Sequence, residues 1–163
     1  MSRLDSFIRR LEAQRACLDH VVGLIAGRDG PALEIGLGNG RTYDHLRARL
    51  GDRALYAFDR ELKAHPDCVP PAEFLILGDF RDGFRLASVR IGRPAVLAHC
   101  DFGSGDRAAT AALAAWLGPA LKPLLAPGAI VLSDQALDGF RPLPLPAGVA
   151  EGRYFLYRHG DGG

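Results

Sequence analysis

The chain has 163 residues and a mass of 17.5 kDa, with 48% apolar and 24% charged residues. That is the make-up of a soluble globular protein, long enough to bury a core without disulfides or a structural metal. It excludes a large second domain, so one unit over 1–163 is expected, and any cofactor and substrate must share it. Twenty basic against nineteen acidic residues leave a net charge of +1. Binding to nucleic acid needs a clustered basic excess, so a nucleic-acid partner is not expected. Cys17, Cys68 and Cys100 cannot all pair and lack the spacing of a zinc site, which points to a reducing cytoplasm. No run approaches 18 apolar residues, so no membrane span is expected.

In chain order, residues 2–27 predict one amphipathic helix. Leu4, Phe7, Ile8, Leu11, Leu18, Val21, Val22 and Ile25 recur at steps of three and four, and Ser2 can cap the start. Gly27, Asp29, Gly30 and Pro31 stop it. Residues 1–30 are thus expected to cover a core built from 31–159. Short apolar runs then alternate with helical patterns. The runs are Ala32–Ile35, Ala54–Phe58, Phe74–Leu77, Ala95–Cys100 and Ala129–Leu132. Arg41–Leu50, residues 81–90 and residues 107–125 predict helices, the last bent near Pro119 and Pro123. Residues 60–73 hold Pro66, Pro70 and Pro71, so a helix there should be short and end before Pro66. This alternation argues for a parallel sheet with helices on both faces. Phe140–Leu145 and Arg153–Arg158 predict a terminal β-hairpin, with the proline-bearing first arm at an edge. The exposed edge leaves room for a homodimer. The closing Gly160-Asp161-Gly162-Gly163 is expected to fray.

The most informative stretch is Leu33-Glu34-Ile35-Gly36-Leu37-Gly38-Asn39-Gly40-Arg41-Thr42, which follows a strand and opens a helix. Glycines there let the backbone turn sharply and approach a ligand. A dinucleotide turn would need glycine at Arg41, and a phosphate loop would need Gly-Lys-Ser/Thr; neither is present. Asp59 ends the second run 19 residues after Gly40, where an acid can accept both hydroxyls of a ribose. Gly78-Asp79-Phe80 ends the third run, offering a hydrogen-bonding acid and a ring to pack on an adenine. His99-Cys100-Asp101-Phe102 ends the fourth. Carboxyl ends of parallel strands are where such sheets bind ligands.

On these residues the chain resembles the class I S-adenosylmethionine-dependent methyltransferases, and within them a small bacterial family. The resemblance runs from about Pro31 to Arg158. It implies a Rossmann-like α/β sheet of seven strands in the order 3-2-1-4-5-7-6, with the last strand antiparallel. It implies S-adenosylmethionine as cofactor, held by Glu34, Gly36, Leu37, Gly38, Asn39, Gly40 and Thr42, by Asp59 and Arg60, and by Gly78, Asp79 and Phe80. Asp101 and Phe102 would lie nearest the transferred methyl. The chain departs from the pattern in its proline-rich second crossover and in the short link between Leu132 and Phe140. No Asn/Asp-Pro-Pro-aromatic motif follows the fourth run, which disfavours nucleobase or glutamine amino groups as acceptors.

Methyl transfer is an in-line displacement that asks the protein mainly for alignment and exclusion of water. Asp101 is the preferred catalytic residue and His99 the second candidate, either as a catalytic group or as a packed one. Asp101, Asp134 and Gln135 also resemble the magnesium ligands of catechol O-methyltransferases, but Mg²⁺ is not the favoured expectation. The expected function is methyl transfer to a small-molecule acceptor. The rivals are a catalytically silent binder of the cofactor and a nicotinamide enzyme, the latter opposed by Arg41.

Overall fold

The strands are β1 (Ala32–Ile35), β2 (Leu55–Asp59), β3 (Leu75–Leu77), β4 (Ala95–Cys100), β5 (Leu125–Ser133), β6 (Arg141–Pro142) and β7 (Phe155–Arg158). They form one sheet in the order β3-β2-β1-β4-β5-β7-β6. The first five are parallel, and β7 is antiparallel to both β5 and β6. This computed structural model describes residues 1–160, so the expected fraying of 161–163 lies outside the described residues.

Four helices cover the sheet: α1 (Arg3–Leu24), α2 (Arg41–Leu50), α3 (Phe80–Arg90) and α4 (Arg107–Leu121). Side chains alternate across a strand, so each strand feeds two cores. Cys17, Leu18 and Val21 of α1 and Leu46 of α2 pack on Ala32, Leu97, Ile130 and Leu156. Phe84 and Ala87 of α3 and Leu117 and Leu121 of α4 pack on Leu33, Ile35, Phe58 and Val131. Every residue of β1 and β4 is buried, as a sheet covered on both faces requires. Each large apolar side chain so buried contributes about 1.5–3 kcal/mol. α1 begins with a capping box, in which Ser2 and Asp5 each satisfy the other's backbone N–H.

The chain leaves β1 toward β2 on one side and returns to β4 on the other. That reversal opens a crevice at the carboxyl ends of β1 and β4.

Several expected boundaries shift. No helix forms over residues 60–65, where the sequence predicts a short one ending before Pro66. Instead a short 3-10 turn begins at it, Pro66–Cys68, and another spans Ala72–Phe74. Proline lacks the N–H that the first turn of a helix leaves unused, so it starts such turns rather than ending them. The fifth strand begins at Leu125, earlier than Ala129, through an irregularity opposite Ala95 and Leu97. The first hairpin arm shrinks to Arg141–Pro142, because Pro142 and Pro144 cannot donate to a ladder. α4 stays helical through Pro119 to Leu121 and tightens into a 3-10 turn over Lys122–Leu124.

Candidate active site

The glycine turn and the end of β4 are built against each other. The Asp101 N–H donates to the Ile35 carbonyl, and the Gly36 N–H donates to that of Phe58, each at 2.9 Å. Gly36 has φ +94°, and a Cβ there would collide with the Asp101 carbonyl. Only glycine lets the chain pass so near. Further on, the Gly38 N–H donates to Asp59 Oδ2 at 2.8 Å, and the Arg60 N–H to Asp59 Oδ1 at 2.7 Å. A carboxylate has about four acceptor positions, so Asp59 can still take hydroxyl donors.

Gly36, Gly38, Asp59, Arg60, Phe80, Asp101 and Phe102 line one cleft of about 350 Å³. Its far wall is Gly103, Ser104, Ala109, Thr110 and Leu113 of the loop after β4 and the start of α4. The Thr110 hydroxyl accepts from the Ser104 N–H and hydrogen-bonds the Ser104 hydroxyl, which fixes that loop. The other expected residues stand behind or beside the cleft. Leu37 is buried in the α1-side core. Gly40 is packed against Cys68 and Ala64. Asn39 Oδ1 accepts from the Arg41 N–H at 3.2 Å. Asp79 caps α3, with Oδ1 accepting from the Arg81 N–H at 2.8 Å, and Gly78 donates its N–H to the Asp59 carbonyl. A larger cavity of about 480 Å³ opens by Arg28, Asp29 and Arg53, but it holds none of the expected residues. Its arginines are already engaged, Arg53 by the Gly30 carbonyl and Arg28 by that of Gly128.

Beneath the glycine turn lies a buried polar chain. Glu34 and His99 are both fully buried, and β1–β4 pairing sets them side by side. Glu34 Oε2 lies 2.7 Å from His99 Nδ1, and Oε1 accepts from the Thr42 hydroxyl in the first turn of α2. His99 Nε2 has no partner among the described residues. Burial pulls the His99 pKa down, but the charge and hydrogen bond of Glu34, with Asp101 and Asp134 adding to them, hold it above the usual imidazole value. The His99 ring stacks on Tyr154, with centroids 6.3 Å apart.

Asp134 sits after β5. Its Oδ1 accepts from the Phe102 N–H at 3.2 Å and its Oδ2 from the Gly103 N–H at 2.9 Å. Gln135 turns its amide nitrogen, not its oxygen, to Asp134 Oδ2 at 3.1 Å. Burial raises the Asp134 pKa despite these bonds. Asp134 and Gln135 thus hold the loop that carries Phe102 and Gly103. Among the described residues no group of three or more His, Cys, Asp or Glu is arranged to hold a metal ion.

Two residues at this site escape a reading of the sequence. Gln14 Nε2 of α1 donates to Asp101 Oδ2 at 2.9 Å and to the Tyr154 hydroxyl at 2.6 Å. Gln14 and Tyr154 are 140 positions apart, and no local pattern joins them. The one signal is a polar residue on the buried face of an amphipathic helix, beside Cys17 and Leu18.

A family model described as S-adenosyl-L-methionine methyltransferase matches residues 1–159. No curated protein matches the chain. Among solved structures, an S-adenosyl-L-methionine methyl transferase from Silicibacter pomeroyi is 43% identical, with TM-score 0.89, and the match covers 98% of this chain and 99% of that one. TrmN from Thermus thermophilus shares the fold at 17% identity and TM-score 0.58, over 86% of this chain and 46% of its own. The strand order, the glycine turn and a match over nearly the whole chain agree: the protein belongs to the S-adenosyl-L-methionine methyltransferase family.

Proposed function

We propose that the chain transfers a methyl group from S-adenosyl-L-methionine to a small-molecule acceptor, with the cofactor in the cleft between the glycine turn and α4. The residues fit that group. Gly38 presents open space where a side chain would stand, and Asp59 keeps acceptor positions for a ribose. Phe80 offers a ring at the cleft wall for an adenine, and Asp79 retains Oδ2 for its amino group. Glu34 and Thr42 act from beneath, by bracing β1 against α2. When bound, the cofactor would supply a sulfonium-activated methyl: an acceptor lone pair would bond to its carbon, the C–S pair would leave with sulfur as a neutral thioether, and the acceptor would give up its proton.

The observation that carries this reading is Asp101. Asp101 lines the cleft at the end of β4, beside Gly36, and of its carboxylate oxygens only Oδ2 accepts a bond among the described residues. A carboxylate so placed can take the acceptor's proton. His99, fully buried and bonded to Glu34, is read as a residue that positions β1 and β4 rather than as a catalytic one. Residues 31–159 would hold the cofactor. Residues 1–30 would cover the acceptor side, because α1 reaches Asp101 through Gln14. No helix among the described residues is long and apolar enough to cross a membrane. Three free thiols favour a cytoplasmic location.

The test is transfer of a labelled methyl from S-adenosyl-L-methionine into a small-metabolite extract, with Asp101→Asn as control. A labelled small molecule with the wild type and none with the variant is the expected result. Tight cofactor binding with no labelled product would instead make the chain a silent binder.

A further inference from the structure

We propose that Gln14 of α1, held in place by Tyr154, is the positioning residue that aims the Asp101 carboxylate at the transferred methyl. The inference rests on the role proposed above for Asp101.

Gln14 is only 7% exposed, on the face of α1 that packs on the sheet. A buried amide left without partners is costly, so its presence there calls for a specific use. The partners settle the orientation of the amide. Asp101 is an acceptor, so the atom 2.9 Å from its Oδ2 must be the NH₂ group. The second proton of the same nitrogen goes to the Tyr154 hydroxyl oxygen, 2.6 Å away. Tyr154 is itself fixed, 4% exposed and stacked on the buried His99 ring. The nitrogen therefore has both protons directed, and its position follows from two rigid elements.

The effect falls on Asp101. This residue lies just past the end of β4, its N–H still bonded to the Ile35 carbonyl, and Gln14 is the one donor to its carboxylate among the described residues. Gln14 engages Oδ2, Oδ1 accepts no bond among the described residues, and Asp101 is one of the residues that line the cleft. The donor is also neutral. It orients the carboxylate by a hydrogen bond without setting a positive charge beside it. Burial pushes the Tyr154 pKa far up, so its hydroxyl stays protonated and adds no charge.

The test compares two cofactor analogues on the full chain and needs no acceptor. S-adenosylhomocysteine lacks the methyl. Sinefungin carries a primary ammonium where the methyl stands, and that ammonium can donate to Asp101. Titration calorimetry of each analogue against wild type, Gln14→Met, Tyr154→Phe and Asp101→Asn gives a sinefungin preference for each protein. Gln14→Met keeps the volume and loses both donors. It should reduce the preference about tenfold, the size of one hydrogen bond to a charged group, with S-adenosylhomocysteine binding unchanged. Tyr154→Phe, which removes only the hydroxyl, should reduce it by a smaller factor. An unchanged preference in Gln14→Met overturns the proposal, and so does an equal loss for both analogues, which would mean a merely structural role. An unchanged preference in Asp101→Asn would instead remove the role of Asp101 itself, and this inference with it.

Discussion

His99 Nδ1 lies 2.7 Å from Glu34 Oε2, and neither side chain exposes any surface. The two are register partners on β1 and β4, so the pair clamps the strands whose carboxyl ends form the crevice. Removing one member leaves the other as an unmatched buried group. His99→Leu should therefore cost about 3–5 kcal/mol, and adding Glu34→Gln to it should recover part of that. The pH dependence has a definite sign. The folded His99 holds its proton more tightly than an unfolded histidine, whose pKa is 6.5. Its stabilising contribution is then complete below that value and is lost as pH rises toward the higher, folded one. Urea unfolding between about pH 6 and pH 9 should show stability falling in the wild type and a flatter profile in the double variant. Equal slopes would show that the pair does not govern the pH response.

Gly36 and Asp101 make a second dependence. A Cβ at Gly36 would strike the Asp101 carbonyl, and φ of +94° adds strain. Gly36→Ala should destabilise by about 2–5 kcal/mol from overpacking and left-handed backbone together, and should weaken binding of S-adenosylhomocysteine. Gly51 is the matched control. Its φ is +59°, and nothing lies within 4 Å of a Cβ there, so Gly51→Ala should cost only about 1–2 kcal/mol. Similar losses in both variants would mean that the close approach to Asp101 is unimportant.

What sequence can reveal here follows the range of the interaction. Apolar runs ending in Asp59, Asp79 and Asp101 are local features that mark the strand ends, and Asp59 and Asp101 line the cleft whereas Asp79 caps α3 beside it. The strand order became an expectation only through family resemblance, since periodicity does not say which strands pair. The contacts of Gln14 with Asp101, and of Asp134 with Gly103, join segments 87 and 31 positions apart. Only its place on the apolar face of α1 hints at Gln14, and a lone amide on a helix also suits solvent. Glu34 shows the converse. Its place two residues before Gly36 is plain in the sequence, but its contact with Thr42 needs α2 folded back on β1, and that with His99 needs β1 and β4 paired.

The thiols give a test of packing around the glycine turn. Cys17 and Cys100 are buried, at 1% and 0% exposure, whereas Cys68 is half-buried. Burial pushes the Cys17 pKa up to about 11. Burial, then the charges of Asp134, Glu34 and Asp101, raise that of Cys100 well above the usual thiol value. Thiolate is the reactive form. A disulfide reagent at about pH 8 should label one thiol quickly in the native protein and all three after unfolding. Cys68 Cβ occupies the space beside Gly40, so labelling it should also weaken S-adenosylhomocysteine binding. Fast labelling of two or more thiols in the native state would contradict the packing described.

Asp59 gives the most direct check on the cofactor. Its Oδ2 fixes the Gly38 N–H and its Oδ1 the Arg60 N–H, so the residue both shapes the turn and faces the cleft. Replacing it with alanine leaves hydroxyl donors of the ligand unmet and frees Gly38. Binding of S-adenosylhomocysteine should weaken by about 1–3 kcal/mol, roughly tenfold or more, when measured by calorimetry. The substitution Asp59→Asn keeps one carbonyl acceptor, which can preserve either the turn or a ribose contact but not both. That variant should fall between wild type and Asp59→Ala. Gly51→Ala, away from the cleft, should leave the affinity alone. If Asp59→Ala binds as tightly as wild type, the ribose assignment fails, and the cleft would have to receive the cofactor in another orientation.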